Sequence, residues 1–199
     1  MISMRYAADH KQTTRRRIVA VASAAFRERG VESTGVDEVM RRAGLTHGGF
    51  YAHFRDKSEL VAEACVEAFD EAVVNLGRIA AQPTAAKRAR LLIDSYLSPR
   101  HRDNRGSGCL IVAVGADMGR LTGPARAGYA CGFIRHIDRL CDTLRLARDP
   151  EENRDRVTHL MSSLVGALIF ARATDDLARS DALLASSRRM LRRTFSTLS

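Results

Sequence analysis

An all-α fold of about nine helices is predicted by three features of the chain. Apolar residues recur at three- and four-residue spacing through most of its length. No stretch alternates apolar and polar residues between turn signals, as half-buried strands do. Four prolines, Pro83, Pro99, Pro124 and Pro150, each stand where one helical pattern stops and another begins.

Residues 1–12 read as a loose basic arm. Thr13 or Thr14 caps a first helix that runs to about Arg29, with Ile18, Ala22, Ala25 and Phe26 on its inner face, and Gly30 ends it. Val36, Val39, Met40 and Ala43 then fall at i, i+3, i+4 and i+7, one apolar side of a short helix. Gly44 supplies the left-handed residue that ends it. Leu45 is an apolar plug, and Thr46 is a suitable N-cap for a second short helix with Phe50 and Phe54 facing inward. Asp56 and Glu59 form a capping box that opens a long fourth helix to about Ile79. Its stripe holds Leu60, Ala64, Ala68 and Ala72, flanked by Val61, Cys65, Phe69, Val73 and Leu76. Further helices are expected at about 84–98, 108–119, 124–147, 151–174 and 180–197.

Two short helices joined by a tight glycine turn have the spacing of a helix-turn-helix, whose second helix enters the DNA major groove. The outward positions suit that task. Thr46 and Tyr51 carry hydroxyls for phosphate or base edges. His47 sits in the first turn, where a neutral ring reads a base and a charged one pairs with phosphate. Gly48 and Gly49 weaken the helix by about 2 kcal/mol on intrinsic propensity but bring backbone N–H groups close to the sugar-phosphate chain. His53 and Lys57 lie where phosphate would pass. Arg41 and Arg42, late in the preceding helix, reach toward backbone or a guanine edge. Arg15, Arg16 and Arg17 crowd the start of the first helix, against its dipole, which favours an outside anion such as phosphate. A solvated basic surface is the alternative for each of these cations.

Residues 14–60 resemble the DNA-binding domain of the TetR/AcrR family of bacterial repressors. The resemblance rests on Ile18, Ala22, Phe26, Gly30, Thr34, Val36, Val39, Ala43–Gly44–Leu45, Gly48, Phe50–Tyr51, His53–Phe54, Lys57 and Leu60. Gly35 stands where that family usually has Thr or Ser. The resemblance implies a three-helix helix-turn-helix domain over residues 1–58. A helical effector-binding and dimerisation domain over 59–199 would follow. It also implies a homodimer, a near-palindromic double-stranded operator and release by a small-molecule effector. Residues implied for the effector pocket are Phe69, Tyr96, Cys109, Val112 and Met118, with Phe133, His136, Ile137, Met161 and Leu164 from later helices. Plain core is the competing reading of each. Leu160, Ala167, Leu168 and Ala171 of the eighth helix are implied for the dimer interface. Leu183, Leu184, Met190 and Leu191 of the ninth complete it.

Cys109 follows a basic, glycine-rich loop and opens a helix, two conditions that lower a thiol pKa. Some members of the family sense electrophiles or oxidants through such a cysteine, which is the alternative mode of release. A small apolar filler is the other reading of that residue.

Composition narrows the classes. The net charge is +9 and the pI about 10.1, which favours a polyanionic partner. Residues 1–60 carry 11 basic and 7 acidic side chains and the remaining 139 carry 21 and 16, so the excess is denser at the start. No secretory leader or membrane span is legible, and a cytoplasmic location is expected. There the four cysteines stay reduced. No CxxC or zinc-finger spacing occurs, and neither metal nor cofactor is expected. An all-α enzyme is disfavoured, because no nucleophile–base order, phosphate loop or carboxylate pair stands out. A DNA-architectural protein remains, and would bind without sequence preference.

Overall fold

A computed structural model describes residues 2–195, with side chains from Asp9 onward. The described residues form ten α-helices and one 3-10 helix. The first, α1 (Ile2–Arg29), absorbs the expected arm. No Gly or Pro interrupts residues 2–29, so nothing breaks the backbone ladder, and Thr13 donates to the Asp9 carbonyl at 2.9 Å instead of capping. Gly30 follows at φ +83°.

Next comes α2 (Val36–Arg42). Its end is a Schellman motif: Leu45 N–H donates to the Met40 carbonyl at 2.9 Å and Gly44 N–H to Arg41 at 3.0 Å. Gly44 has φ +70°, as the turn requires. The segment predicted as a second α-helix is a 3-10 helix, His47–Ala52. Two adjacent glycines lower α-helical propensity there, and the tighter winding suits a short piece. Phe50 and Phe54 stack at 5.5 Å and are both buried under α1 and α2.

The long helix divides in two, α3 (Lys57–Val74) and the one-turn α4 (Gly77–Ala80), parted at Asn75 and Leu76. Asp56 caps α3 by accepting Glu59 N–H at 2.8 Å. Glu59 reaches back to Arg55 N–H at 2.9 Å, one residue short of the expected box partner. That bond, with the Arg15 and Arg55 guanidinium groups, holds the Glu59 carboxyl down to about 2.

Then follow α5 (Ala85–Tyr96), α6 (Pro99–Asp103), α7 (Leu110–Met118), α8 (Gly123–Leu144), α9 (Pro150–Ala173) and α10 (Leu177–Thr194). Not expected from the apolar periodicity is α6, a five-residue helix capped by Ser98 and opened by Pro99. The expected end of the last helix, residues 196–197, lies outside the described residues.

Two apolar clusters hold the chain. The first joins α1, α2, the 3-10 helix and α3 from Leu60 to Phe69 to Leu110, Val114, Met118 and Ala125 of α7 and α8. The second joins α4 and α5 to α8, α9 and α10 around Leu140, Leu160 and Leu164. Packing therefore does not divide at residue 58. The broadest helix pair is α3 on α8. Gly128 and Gly132 make it possible. A Cβ on Gly128 would lie 2.8 Å from Ala62 Cα, and one on Gly132 would lie 2.5 Å from a ring carbon of Phe69. Near the reading end, Ala125 N–H donates to Ser58 Oγ at 3.2 Å, so the starts of α3 and α8 are tied together.

Ion pairs brace the rest. Arg27, with a buried side chain, meets Glu71 of α3 at 2.7 Å. Buried Arg102 bonds Ser180 at 2.9 Å and Asp181 at 2.6 Å, pinning α6 to α10.

Candidate nucleic-acid interface

The 3-10 helix presents a compact exposed face. Thr46 stands at the expected N-cap position, but its side chain makes no cap bond, so its hydroxyl is open to a partner. His47 Nδ1 pairs with the Asp37 carboxylate of α2, which leaves Nε2 as the nitrogen facing outward. Tyr51 is 65% exposed, although it is among the largest apolar rings in the chain. Its ring stands edge-on to Phe50 at 5.3 Å and to His47 at 6.0 Å, which limits its freedom without burying it. Gly48 has nothing within 4 Å of a notional Cβ, so its backbone is open. Gly49 turns the other way, 3.6 Å from the Met40 methyl, and packs inward.

The cations divide into free and committed ones. Arg16, Arg17 and Arg41 are exposed. Arg42 pairs with Glu28 at 2.9 Å and Glu38 at 3.0 Å. Arg15, expected at phosphate, is drawn inward: it bonds Glu59 at 2.9 Å, pairs with Glu63, and lies 4.1 Å over the Phe54 ring. Carboxylates one and two turns along α3 outcompete a distant partner. Lys57 is also turned from the expected task, donating to the Val31 carbonyl at 2.6 Å. Partial burial lowers its pKa. His53 has its Nδ1 buried without a hydrogen bond. Burial, then Lys11 and Arg15, lower its pKa, so it offers phosphate a neutral ring.

The residues expected around an effector do not meet in one open cavity. Met118 and Phe69 sit in the first cluster. Tyr96, Ile137, Met161 and Leu164 sit in the second, with Cys109, Val112 and Phe133 packed half-buried against it. His136 keeps an unsatisfied polar atom, Nδ1, in the interior, and the buried Tyr96 hydroxyl has no oxygen or nitrogen partner, only the Cys109 thiol beside it. Such groups are costly to leave unpaired. Burial holds the His136 ring neutral down to about 4. The Cys109 thiol lies beside the Tyr96 hydroxyl and raises its pKa, after burial itself. Cys109 N–H donates to His101 Nε2 at 3.2 Å, and His101 Nδ1 meets the Tyr96 carbonyl at 2.7 Å. Arg172 of α9 closes this region by donating to the His101 and Arg102 carbonyls at 3.0 and 3.1 Å. The sequence reading passed over His101 and Arg172, because no spacing links residues seventy apart.

Of the residues expected at a dimer interface, Leu160, Leu168, Ala171, Leu184 and Leu191 are buried within this chain. Ala167 is half-buried, while Leu183 and Met190 are exposed. Ile169, Phe170 and Leu177 join them at the surface, with Phe170 66% and Leu177 68% exposed. Apolarity nearly all round α9 was the available signal; periodicity could not say which stripe faces the chain's own core.

Fold and exposed face together define a helix-turn-helix protein of the regulatory kind, with a helical domain behind the reading head. Residues 18–64 match the family described as bacterial regulatory proteins, tetR family. Residues 18–64 therefore carry a DNA-binding domain of the TetR/AcrR type, and the similarities support a transcriptional regulator of that kind. It is 46% identical over 52 residues to the HTH-type transcriptional regulator AcrR of Shigella flexneri, covering 26% of this chain and 24% of that one. The chain thus spans about a quarter of that relative's length. Over 189 residues it is 26% identical to the HTH-type transcriptional regulator Rv0196 of Mycobacterium tuberculosis, covering 90% of this chain and 95% of that one. Its fold resembles that of Escherichia coli NemR in the reduced form, with a TM-score of 0.73 at 20% identity, over 91% of this chain and 96% of that one. Among the described residues no helix is long and apolar enough to cross a membrane.

Proposed function

We propose that this protein is a sequence-specific DNA-binding transcriptional repressor, working in the cytoplasm as a homodimer on a near-palindromic operator. Residues 1–58 read DNA, and residues 59–199 bind a small-molecule effector and the second subunit. The observation that carries this reading is the exposed set Thr46, His47 and Tyr51 on a helix-turn-helix, beside exposed Arg16, Arg17 and Arg41. The arginines position the protein on phosphates and the 3-10 face reads bases. Ile169, Phe170, Leu177, Leu183 and Met190 form the subunit contact, since so many exposed large apolar side chains on two adjacent helices mark an interaction face. An effector acts by favouring a spacing of the two reading heads other than the roughly 34–36 Å of one DNA turn.

The test is a competition gel shift with DNA from upstream of the protein's own gene. The protein should prefer one near-palindromic site over random duplex by about 4 kcal/mol or more, with two chains per site. Equal affinity for both duplexes would instead identify an architectural protein.

A second reading concerns release. A half-buried Cys109 at the N-terminus of α7 suits a thiol that senses electrophiles or oxidants, and the likeness of fold to NemR, solved in a reduced form, accords with it. Thiol alkylation should then release DNA from the native protein and spare Cys109→Ser. Equal loss in both would remove Cys109 from the mechanism.

A further inference from the structure

An open cleft of about 470 Å³ lies where the far end of α3 and the short α4 meet the end of α8. None of the ten residues expected around an effector lines it. Its apolar side is Val73, Leu76 and Ala80, with Gly77 between them. The lining also includes Arg88, Arg139 and Arg145, with Asp142 and Thr143. Three arginines and one aspartate give the cleft a surplus of positive charge beside its apolar residues.

The arginines are set in place in different ways. Arg88 is fixed by donating from Nε to the Leu144 carbonyl at 3.0 Å and from Nη1 to Gln82 at 3.1 Å. Nη2 remains for an outside acceptor. Arg145 caps α8 at φ +50°, the one non-glycine residue with positive φ among the described residues. A glycine would take that conformation at lower cost, yet the position carries a guanidinium anchored through Nε to the Asp142 carbonyl at 3.1 Å. Arg139, exposed, makes no hydrogen bond or ion pair of its own guanidinium among the described residues.

From these features we infer a second ligand site, outside the buried interior, for a small organic monoanion with an apolar body, such as a medium-chain carboxylate. Arg139 and Arg145 hold the carboxylate by charge-assisted hydrogen bonds. The chain lies on Val73, Leu76 and Ala80, where burial of its methylenes adds affinity. The volume falls within the range of small-molecule sites. Binding there stands apart from DNA recognition, because α3 is 18 residues long and places the cleft about 27 Å from the reading head.

Isothermal titration calorimetry on the full chain tests this with octanoate as the probe and 1-octanol as its uncharged counterpart. One octanoate should bind per chain, and octanol at least about tenfold more weakly. Arg139→Gln/Arg145→Gln should weaken octanoate by about tenfold or more while the thermal melt still shows one cooperative transition, because Arg139 is exposed and Arg145 gives up one surface hydrogen bond. Octanol binding as tightly as octanoate, an unaffected double variant, or no saturable octanoate binding at millimolar concentration would each overturn the inference. Gel shifts without octanoate report separately on DNA binding, so the two readings fail independently.

Discussion

Changing His47 and Tyr51 together to alanine is expected to lower affinity for the preferred operator at least about a hundredfold, because a good base-edge contact contributes about 1–3 kcal/mol and a dimer loses each one twice. Folding should be untouched. Both side chains are largely exposed, and surface substitutions of this kind stay within about 0.5 kcal/mol. Equilibrium gel shifts at one fixed salt concentration measure the effect, since phosphate contacts make any affinity strongly salt-dependent. Loss should be larger on the operator than on random duplex, because the arginines proposed to meet phosphate remain. An unchanged operator affinity would mean that the 3-10 face is not the reading surface. A uniform loss on both duplexes would assign the two residues to backbone positioning instead.

The second large effect lies in the packing. Gly128→Ala should destabilise the protein by about 1–3 kcal/mol, the usual cost of overpacking. For a chain of this size that is a fall in melting temperature of roughly 2–12 °C. The reason is specific. The new Cβ would meet Ala62 Cα at 2.8 Å and the Ala62 carbonyl oxygen at 2.9 Å, and neither is the end of a flexible side chain. The helices α3 and α8 must separate to admit it. Adding Ala62→Gly should recover little of the loss, because the obstructing Cα and carbonyl remain. Because Ser58 and Ala125 join the same two helices beside the reading head, the variant should also weaken operator binding at temperatures where it is fully folded. A melt equal to the native one would show that the pair accommodates the methyl, and that its close approach has no part in holding the reading head.

These two experiments fall on opposite sides of what the primary structure made legible. The helix-turn-helix was readable because its signals are local: Gly44 at the turn, Phe50 and Phe54 four apart, Asp56 three before Glu59. Each interaction joins residues within a few positions, so spacing alone reports it. The same locality explains the misjudged details. Gly48–Gly49 fits a short helix of either winding by spacing, and only the tighter 3-10 form accommodates it here. Arg15 looks free for phosphate in the sequence because its partners Glu59 and Glu63 lie 44 and 48 residues away.

The helical class, the punctuation by proline and the position of the reading head were thus settled by the order of residues, because backbone propensity and helical period act over a few residues at a time. Tertiary packing alone decided which apolar stripe of α9 and α10 turns inward, that His136 Nδ1 is sealed without a partner, and that three arginines border an open cleft. Those outcomes depend on which distant surfaces meet, and an amphipathic pattern is equally compatible with several neighbours until burial selects one.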